Sequence, residues 1–288
     1  MARFGRLVTA MVTPFNDQLQ IDYDKTERLI DHLVATGSEG IVISGTTGES
    51  PTLSGAEKLA LFKHVVSYAK GKCHIIAGTG SNDTASSIEF TKAAQETGVD
   101  AVMVVAPYYS RPSQEGLYAH FKAIAASTDL PVMLYNVPGR SAVNITAQTT
   151  LRLAELSNVV CVKEASGNLS QMAQIIEHAP EGFELYSGDD SLTLPALAIG
   201  GVGIVSVASH VVGREMTEMI HSFLAGNHAA AASLHRKLMP VFEGLFAYPS
   251  PGPTKVALQK LGIETGGVRL PLVELNDEEK TFVHSLLV

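Results

Sequence analysis

The sequence predicts an α/β fold, a (β/α)8 TIM barrel followed by a C-terminal helical appendage. Short runs rich in Val and Ile alternate with longer amphipathic stretches, and these runs begin about every 20–35 residues, as in repeated βα units. Their nearly continuous apolar character is typical of strands buried on both faces of a parallel sheet. Beyond Gly226 the strand pattern stops. We therefore predict a catalytic barrel over residues 1–225 and helices packed on it over residues 226–288.

The predicted strands are numerous enough to close a barrel, because about eight βα units in roughly 225 residues are what this architecture requires. An open doubly wound sheet is the main alternative. Such a sheet more often carries a dinucleotide-binding glycine motif after its first strand, and here that position reads VTPFND. The predicted strands are Leu7–Val12, Gly40–Ser44, His74–Ala77, Ala101–Ala106, Val132–Tyr135, Val159–Val162, Glu184–Tyr186 and Gly203–Val207.

The stretches between these strands have the apolar spacing of amphipathic helices. Ser54 and Glu57 form a capping-box pattern at the start of one of them. The YPSPGP corner separates two of the helices predicted beyond the barrel. Predicted helices are Tyr23–Thr36, Gly55–Ala69, Thr84–Thr97 and Gln114–Ser127 in the barrel, and His228–Phe246, Lys255–Leu261 and Asp277–Leu287 beyond it.

Composition narrows the class of function. The 288 residues are 45% hydrophobic and 17% charged, which indicates a globular protein with a large core. A net charge of -8 provides no basic surface for nucleic acid or membranes. The two cysteines, Cys73 and Cys161, make no disulfide framework, so a cytoplasmic location is expected. The apolar run before Pro14 is short and is interpreted as the first strand. A small-molecule partner is the expectation.

Chemically unusual residues follow the predicted strands at their C-terminal ends, where (β/α)8 barrels carry their active sites. These positions are distant in sequence, but the predicted topology brings them to one face. They are GTTGES at residues 45–50, Pro107, Tyr108 and Tyr109 after the fourth strand, Tyr135 with NVPGR at 136–140, Lys163 after the sixth strand, and SGDD at 187–190.

Lys163 is the strongest candidate for chemistry. It ends an apolar strand, whereas lysines such as Lys58 and Lys260 lie on amphipathic helices and are expected to be ordinarily exposed. Burial disfavours the charged ammonium, which leaves a neutral amine able to attack a carbonyl. The alternative is a lysine paired with Glu164 or extended out of the rim.

Other residues at this face have both a functional and a structural interpretation. Thr46 and Thr47, beside flexible glycines, could hold a small carboxylate or simply precede the helix cap. Tyr135 and Tyr109 could relay protons or anchor loops. Arg140 could bind a carboxylate or remain a solvated surface residue. Two further features favour a structural interpretation: Asp189 and Asp190 lack a nearby His or Cys to complete a metal site, and Gly200–Gly203 suits close packing better than phosphate binding.

Several motifs occur together in the order found in the dihydrodipicolinate synthase family, and from Val8 to the PSPGPTKVALQKLG segment the chain resembles that family. These motifs are GTTGES, PYY, YNVPGRS, VKEASGN, YSGDD and GGVGIVSV. The resemblance implies a pyruvate aldolase that works through a Schiff base on Lys163 and needs no metal, flavin or nucleotide. Its partners would be pyruvate and aspartate semialdehyde, and its usual assembly is a homotetramer built as a dimer of dimers.

The resemblance also implies a role for individual residues. Thr46, Tyr135 and Tyr109 would form a proton relay, with Tyr109 reaching in from a neighbouring subunit. Thr47 would bind the pyruvate carboxylate and Arg140 the carboxylate of the semialdehyde. The backbones of Gly188 and Val205 would line the pocket.

The family's lysine-effector site is altered in this sequence. Family members inhibited by lysine bind it with histidine and glutamate side chains, and the matching positions here are Gly55, Lys58 and Ser86. An added cation and a lost acid should weaken the binding of a cationic amino acid. We therefore expect poor sensitivity to lysine. Three other residues of the possible effector site are retained: Ser50, Asn82 and Tyr108.

Two other functions compete with this one at the sequence level. A sibling aldolase acting on a sugar acid or 4-hydroxy-2-oxoglutarate would use the same lysine, although Arg140 would then have less purpose. A catalytically silent barrel that binds a keto acid would need no proton relay. A substrate panel separates the aldolases, and substitution of Lys163 separates an enzyme from a binder.

Overall fold

The predicted closed barrel is present in the computed structural model, which describes residues 2–287. Eight parallel strands pair in chain order, and the first closes the barrel against the eighth. Fold class and strand order are therefore confirmed. The strands are β1 Leu7–Ala10, β2 Gly40–Ile43, β3 His74–Gly78, β4 Ala101–Val105, β5 Val132–Asn136, β6 Val159–Glu164, β7 Glu184–Ser187 and β8 Gly203–Ser206.

Helices surround the barrel and continue beyond it. Asp22, Ser54, Asp83 and Ser113 each cap a helix by accepting a backbone N–H three residues on. Of the helices within residues 2–287, none combines the length and apolar character needed to cross a membrane. The helices are α1 Tyr23–Ala35, α2 Gly55–Ala69, α3 Thr84–Gln95, α4 Gln114–Ala125, α5 Pro138–Ser141, α6 Ala147–Ala154, α7 Leu169–His178, α8 Thr193–Ala198, α9 Ser209–Leu224, α10 His228–Gly244, α11 Gly252–Lys260 and α12 Asp277–Ser285.

The ends of several elements differ from the sequence prediction. Strand β1 ends at Ala10. Met11 and Val12 continue the apolar run because they are also buried, although they lie beyond the end of the strand. Strand β6 runs on through Lys163 and Glu164. Helix α11 begins at Gly252, three residues earlier than expected, because a proline is tolerated in the first helical turn.

The interior of the barrel is packed with side chains and closed at its N-terminal end. Phe4 is 2% exposed, and its backbone N–H donates to the hydroxyl of Tyr186 at 3.2 Å. The route to the interior is therefore from the C-terminal end of the strands. The buried cluster inside the barrel contains Phe4, Val8, Ala10, Val42, Ile76, Ala101, Met103, Met133, Tyr135, Val137, Val160, Cys161, Tyr186 and Val205.

The C-terminal helices share a hydrophobic core with the barrel. Leu7 of β1 and Ile204 of β8 belong to the same buried cluster as Phe242 of α10, Ala257 of α11 and Val283 of α12. The predicted helical part is therefore present and packed against the barrel. The division at residues 225 and 226, between α9 and α10, stays a prediction.

His210 joins the segments that follow β1 and β8, the two strands whose pairing closes the barrel. Its Nε2 accepts the Val12 backbone N–H at 3.2 Å, which leaves Nδ1 to donate to the Val207 carbonyl at 2.8 Å. Both ring nitrogens are thus committed in the neutral form. Complete burial lowers the pKa of His210 from 6.5 to about 4.

We expect this histidine to make the folded state sensitive to acid. Between pH 6.5 and pH 4 the unfolded chain binds a proton here that the folded chain does not, so the free energy of unfolding falls as pH decreases. The full effect corresponds to about 3 kcal/mol. In His210→Gln, whose amide can replace both hydrogen bonds, urea unfolding between pH 7.5 and pH 5 should show a shallower loss. Equal slopes in the two proteins would contradict the assignment.

Candidate active site

A cavity of about 220 Å³ opens among the loops that follow β2 to β5. Thr46, Tyr135 and Arg140 line it, together with Tyr108 and Ser50. Residues from three separate sequence motifs therefore meet at one place, at the C-terminal end of the barrel. Val137 and Ser141 of the YNVPGRS motif also line the cavity. Met103 and Val105 line it too, and sequence reasoning missed them because they belong to the ordinary apolar run of β4.

Lys163 lies on β6 with only 5% of its surface exposed. In the strand register it stands between Tyr135 of β5 and Tyr186 of β7. Its Nζ is 4.3 Å from the centroid of the Tyr135 ring. Within residues 2–287 no carboxylate lies within 4.0 Å of Nζ to hold it as an ion pair. The buried amine is therefore not neutralised by a neighbouring acid.

Glu164, the alternative partner of Lys163, has a different role. Consecutive strand residues point to opposite faces, so Glu164 points away from the barrel interior. Its carboxylate accepts Asn136 Nδ2 at 3.0 Å, the Ser166 N–H at 2.7 Å and Gln171 Nε2 at 2.9 Å. These bonds join the ends of β5 and β6 and fix the register that places Tyr135 beside Lys163. The pairing of Lys163 with Glu164 is not observed.

Gly188 lies directly against the Lys163 side chain. A Cβ at this position would be 3.1 Å from Lys163 Cε and Cγ and 2.7 Å from Ala165 Cβ. The Gly188 N–H donates to the Glu164 carbonyl at 2.8 Å, which fixes the glycine to β6. Val205 of β8 is 1% exposed and belongs to the interior cluster that contains Tyr135. Gly188 therefore borders Lys163, whereas Val205 lies in the packed interior of the barrel.

The GTTGES loop leaves β2 through Ser44, which has the left-handed φ of 54°, and reaches a second left-handed residue at Glu49. The Gly48 N–H donates to the Gly45 carbonyl and the Glu49 N–H to the Thr46 carbonyl, both at 3.1 Å. In the described part of the chain, the N–H groups of Thr46 and Thr47 have no acceptor. They are thus available to an anion.

The hydroxyl groups of the expected relay are not joined in this single chain. Thr46 is exposed and Tyr135 is 5% exposed, and no hydrogen bond links their hydroxyls within residues 2–287. Tyr109 does not line the cavity; it is 89% exposed and has a φ of 77°. The structure thus brings Thr46 and Tyr135 to one cavity and leaves Tyr109 outside it.

Left-handed backbone is concentrated in the loops at this end of the barrel. Of the six non-glycine residues with positive φ in residues 2–287, five lie in the loops after β2, β4 and β5; the sixth is Leu19. Such conformations are costly and cluster at functional sites. The five are Ser44, Glu49, Tyr109, Arg111 and Ala142.

Arg140 lies on α5, a short helical turn after β5. It is exposed and lines the cavity with Tyr135. Asp190 is buried at the end of β7. Its carboxylate accepts the Ser206 hydroxyl and the N–H groups of Val207 and Ala208, and burial raises its pKa. These bonds give it a structural role, joining the ends of β7 and β8.

Four residues of the possible effector site line two adjoining cavities. Ser50 and Tyr108 line the first one, and Ser86 lines a neighbouring cavity of about 400 Å³. Lys58 lines both. The expectation of ordinary exposure for Lys58 is wrong: the side chain is half-buried, and desolvation lowers its pKa. Asn82 is exposed and lines neither cavity.

Comparison with known proteins agrees with this geometry. The model of the dihydrodipicolinate synthetase family matches residues 3–288. The 4-hydroxy-tetrahydrodipicolinate synthase 1 of Halalkalibacterium halodurans is 59% identical, over 96% of this chain and 94% of that protein. A dihydrodipicolinate synthase crystal structure from Bacillus anthracis has a TM-score of 0.98 and 55% identity, covering 100% of this chain and 98% of that one. A Cyanidioschyzon merolae structure with lysine bound has a TM-score of 0.96 and 47% identity, covering 99% and 97%.

Proposed function

We propose, from the premise that this chain belongs to the dihydrodipicolinate synthetase family, that Lys163 carries its reaction through a Schiff base with pyruvate. The reaction is 4-hydroxy-tetrahydrodipicolinate synthesis, a lyase activity in the diaminopimelate route to lysine, and it is the activity for which relatives matching nearly the whole chain are named. The observation that carries the role of Lys163 is its position: a buried amine without an acidic partner, beside Tyr135 at the open end of the barrel.

The first half of the reaction activates pyruvate. The amine of Lys163, once it has lost its proton, attacks the keto carbon, and loss of water gives the imine. Once protonated, the imine is an electron sink, so a proton can leave the pyruvate methyl group and an enamine forms. The unpaired N–H groups of Thr46 and Thr47 favour binding of the pyruvate carboxylate in the same loop.

The second half joins the two substrates. The enamine carbon attacks the aldehyde carbon of aspartate semialdehyde, and the aldehyde oxygen takes up a proton. The amino group of the semialdehyde then attacks the imine carbon, which closes the ring and releases Lys163. We propose that Tyr135 and Thr46, which line one cavity, pass the protons. The guanidinium of Arg140 on the same cavity suits the carboxylate of the semialdehyde.

Tyr109 completes the relay only if a second copy of the chain is present. Its 89% exposure and left-handed backbone describe a side chain held away from its own cavity. A neighbouring subunit that covers this loop would bury the ring and receive its hydroxyl. We propose a homotetramer built as a dimer of dimers, located in the cytoplasm. Mixing Tyr109→Phe subunits with Lys163→Met subunits tests this. In a mixed dimer one site combines Lys163 of the first variant with Tyr109 of the second, so a relay that crosses the interface should restore some activity.

The acceptor is tested by assaying the purified protein with pyruvate and aspartate semialdehyde, coupled to the next reductase and followed by NADPH consumption. Turnover with this aldehyde and not with sugar-derived aldehydes is the expected result. If folded protein turned over a sugar acid or 4-hydroxy-2-oxoglutarate instead, a sibling aldolase activity would replace this one.

We expect weak inhibition by lysine because Lys58 occupies the region between the two cavities. An ammonium there repels a cationic effector. Lys58→Glu should make the enzyme measurably more sensitive to lysine, and Lys58→Met should fall between it and the wild type. Inhibition curves at saturating pyruvate measure this. Strong inhibition of the wild type at sub-millimolar lysine would contradict the expectation.

A further inference from the structure

A buried ion pair connects the GTTGES loop to the C-terminal helices. Glu49 Oε1 lies 2.8 Å from Lys255 Nζ, and the two side chains are 0% and 4% exposed. Lys255 Nζ also donates to the Gly267 carbonyl at 2.6 Å and lies 4.3 Å from the centroid of the Phe15 ring. The other carboxylate oxygen of Glu49 accepts the Arg269 N–H at 2.9 Å. The C-terminal segment therefore contacts both oxygens of Glu49.

Stability alone gives little reason for such a pair. Removing two charges from water is costly, and an apolar pair of similar volume commonly holds a helix as well or better. Here the ammonium of Lys255 holds one carboxylate oxygen of Glu49, while the directional hydrogen bond from the Arg269 N–H to the other oxygen fixes where the carboxylate points. In this loop the direction matters, since the Glu49 backbone is left-handed with a φ of 56°.

The backbone of Glu49 transmits this constraint to the substrate-binding threonines. Its N–H donates to the Thr46 carbonyl at 3.1 Å, and Thr47 lies between the two residues. On the opposite side of the loop, the Thr13 hydroxyl donates to the Gly48 carbonyl at 2.7 Å. Anchored at Gly48 and Glu49, the loop presents the free N–H groups of Thr46 and Thr47 together.

We infer that Glu49 and Lys255 are positioning residues, which set the orientation of Thr46 and Thr47 toward the Schiff-base substrate from the C-terminal helical segment. This inference rests on the proposed function. It gives the C-terminal helices a part in the reaction, although their residues line no part of the cavity beside Tyr135.

The test compares Glu49→Gln, Lys255→Met and the double variant with the wild type. Each single variant leaves one buried partner uncompensated, so its melting temperature should fall. The double variant has no uncompensated charge and should regain stability. It should not regain kinetics: with a loosened loop, kcat/KM should stay about 10- to 100-fold below the wild type. KM for pyruvate should rise because a displaced Thr47 binds the pyruvate carboxylate less well. The value of kcat should fall because a displaced Thr46 passes protons less well.

Glu57→Gln is the matched control. Glu57, on α2, pairs with the guanidinium of Arg269, whereas Glu49 accepts the backbone N–H of that residue, so Glu57→Gln leaves the hydrogen bond to the threonine loop in place. It should lose stability and keep both kinetic constants. A double variant as stable as the wild type, with wild-type kcat and KM, would overturn the inference. Because the wild type is assayed and trapped with borohydride alongside, failure of the Schiff-base proposal itself would show separately as an untrapped, inactive wild type.

Discussion

Replacing Lys163 with methionine should abolish turnover while leaving the fold intact. Methionine keeps the length and apolar stem of the side chain but has no amine to form an imine. The expected loss in kcat is at least about 10⁴-fold, the range seen when a covalent nucleophile is removed. The melting temperature should hold or rise, because a buried polar group without an acidic partner is removed. Coupled assays and thermal unfolding of the same preparation measure both quantities.

Lys92→Met is the matched control for this substitution. Lys92 lies exposed on α3, away from the cavity, so the same chemical change should leave kcat and KM unaltered. Retention of ligand turnover in Lys163→Met would remove the Schiff base from the mechanism. A variant that still binds pyruvate but does not convert it would support the proposed role, and would also argue against a barrel that only binds a keto acid.

Adding a single methyl group at Gly188 should also lower activity strongly, although less than loss of the Lys163 amine. The new Cβ would approach Lys163 Cε to 3.1 Å and Ala165 Cβ to 2.7 Å, closer than such atoms pack. The backbone of Gly188 is held by its hydrogen bond to the Glu164 carbonyl, so the flexible side chain of Lys163 has to move instead. A displacement of about 1 Å at the reacting amine can cost about 10²-fold. We expect Gly188→Ala to lower kcat/KM by that order.

Two further variants decide whether the effect is steric. A Cβ at Gly139, on α5 beside Arg140, would meet no atom within 4 Å, so Gly139→Ala should have little effect. Adding Ala165→Gly to Gly188→Ala removes the closest contact and should restore part of the activity. If Gly188→Ala were fully active, or if the second substitution restored nothing, the close packing around Lys163 would have no influence on the reaction.

The fold could be predicted from the sequence because its signals are local. Strands buried on both faces give continuous apolar runs, and amphipathic helices give a regular spacing between them. The same property makes the strand ends imprecise: Met11 and Val12 are buried outside β1, so they continue the apolar run of the strand. Lys163 was visible for the opposite reason, as a charged residue at the end of an apolar run.

Other parts of the site depend on contacts between distant segments. Nothing near Lys255 in the sequence indicates that its amine pairs with Glu49, because the pairing depends on how the C-terminal helices meet the loop after β2. The half-buried state of Lys58 likewise follows from its position between two cavities. The close contact of Gly188 with Lys163 requires β6 and β7 to be paired in register. Motifs identified these segments but not their contacts.

The most direct test of the central claim is borohydride reduction in the presence of pyruvate, followed by peptide mass spectrometry. If Lys163 forms the imine, reduction should inactivate the enzyme and leave one reduced pyruvate adduct on the peptide that contains Lys163. Lys163→Met should acquire none. An adduct on another lysine would contradict the mechanism. So would folded, active enzyme that keeps its activity after borohydride treatment and carries no adduct.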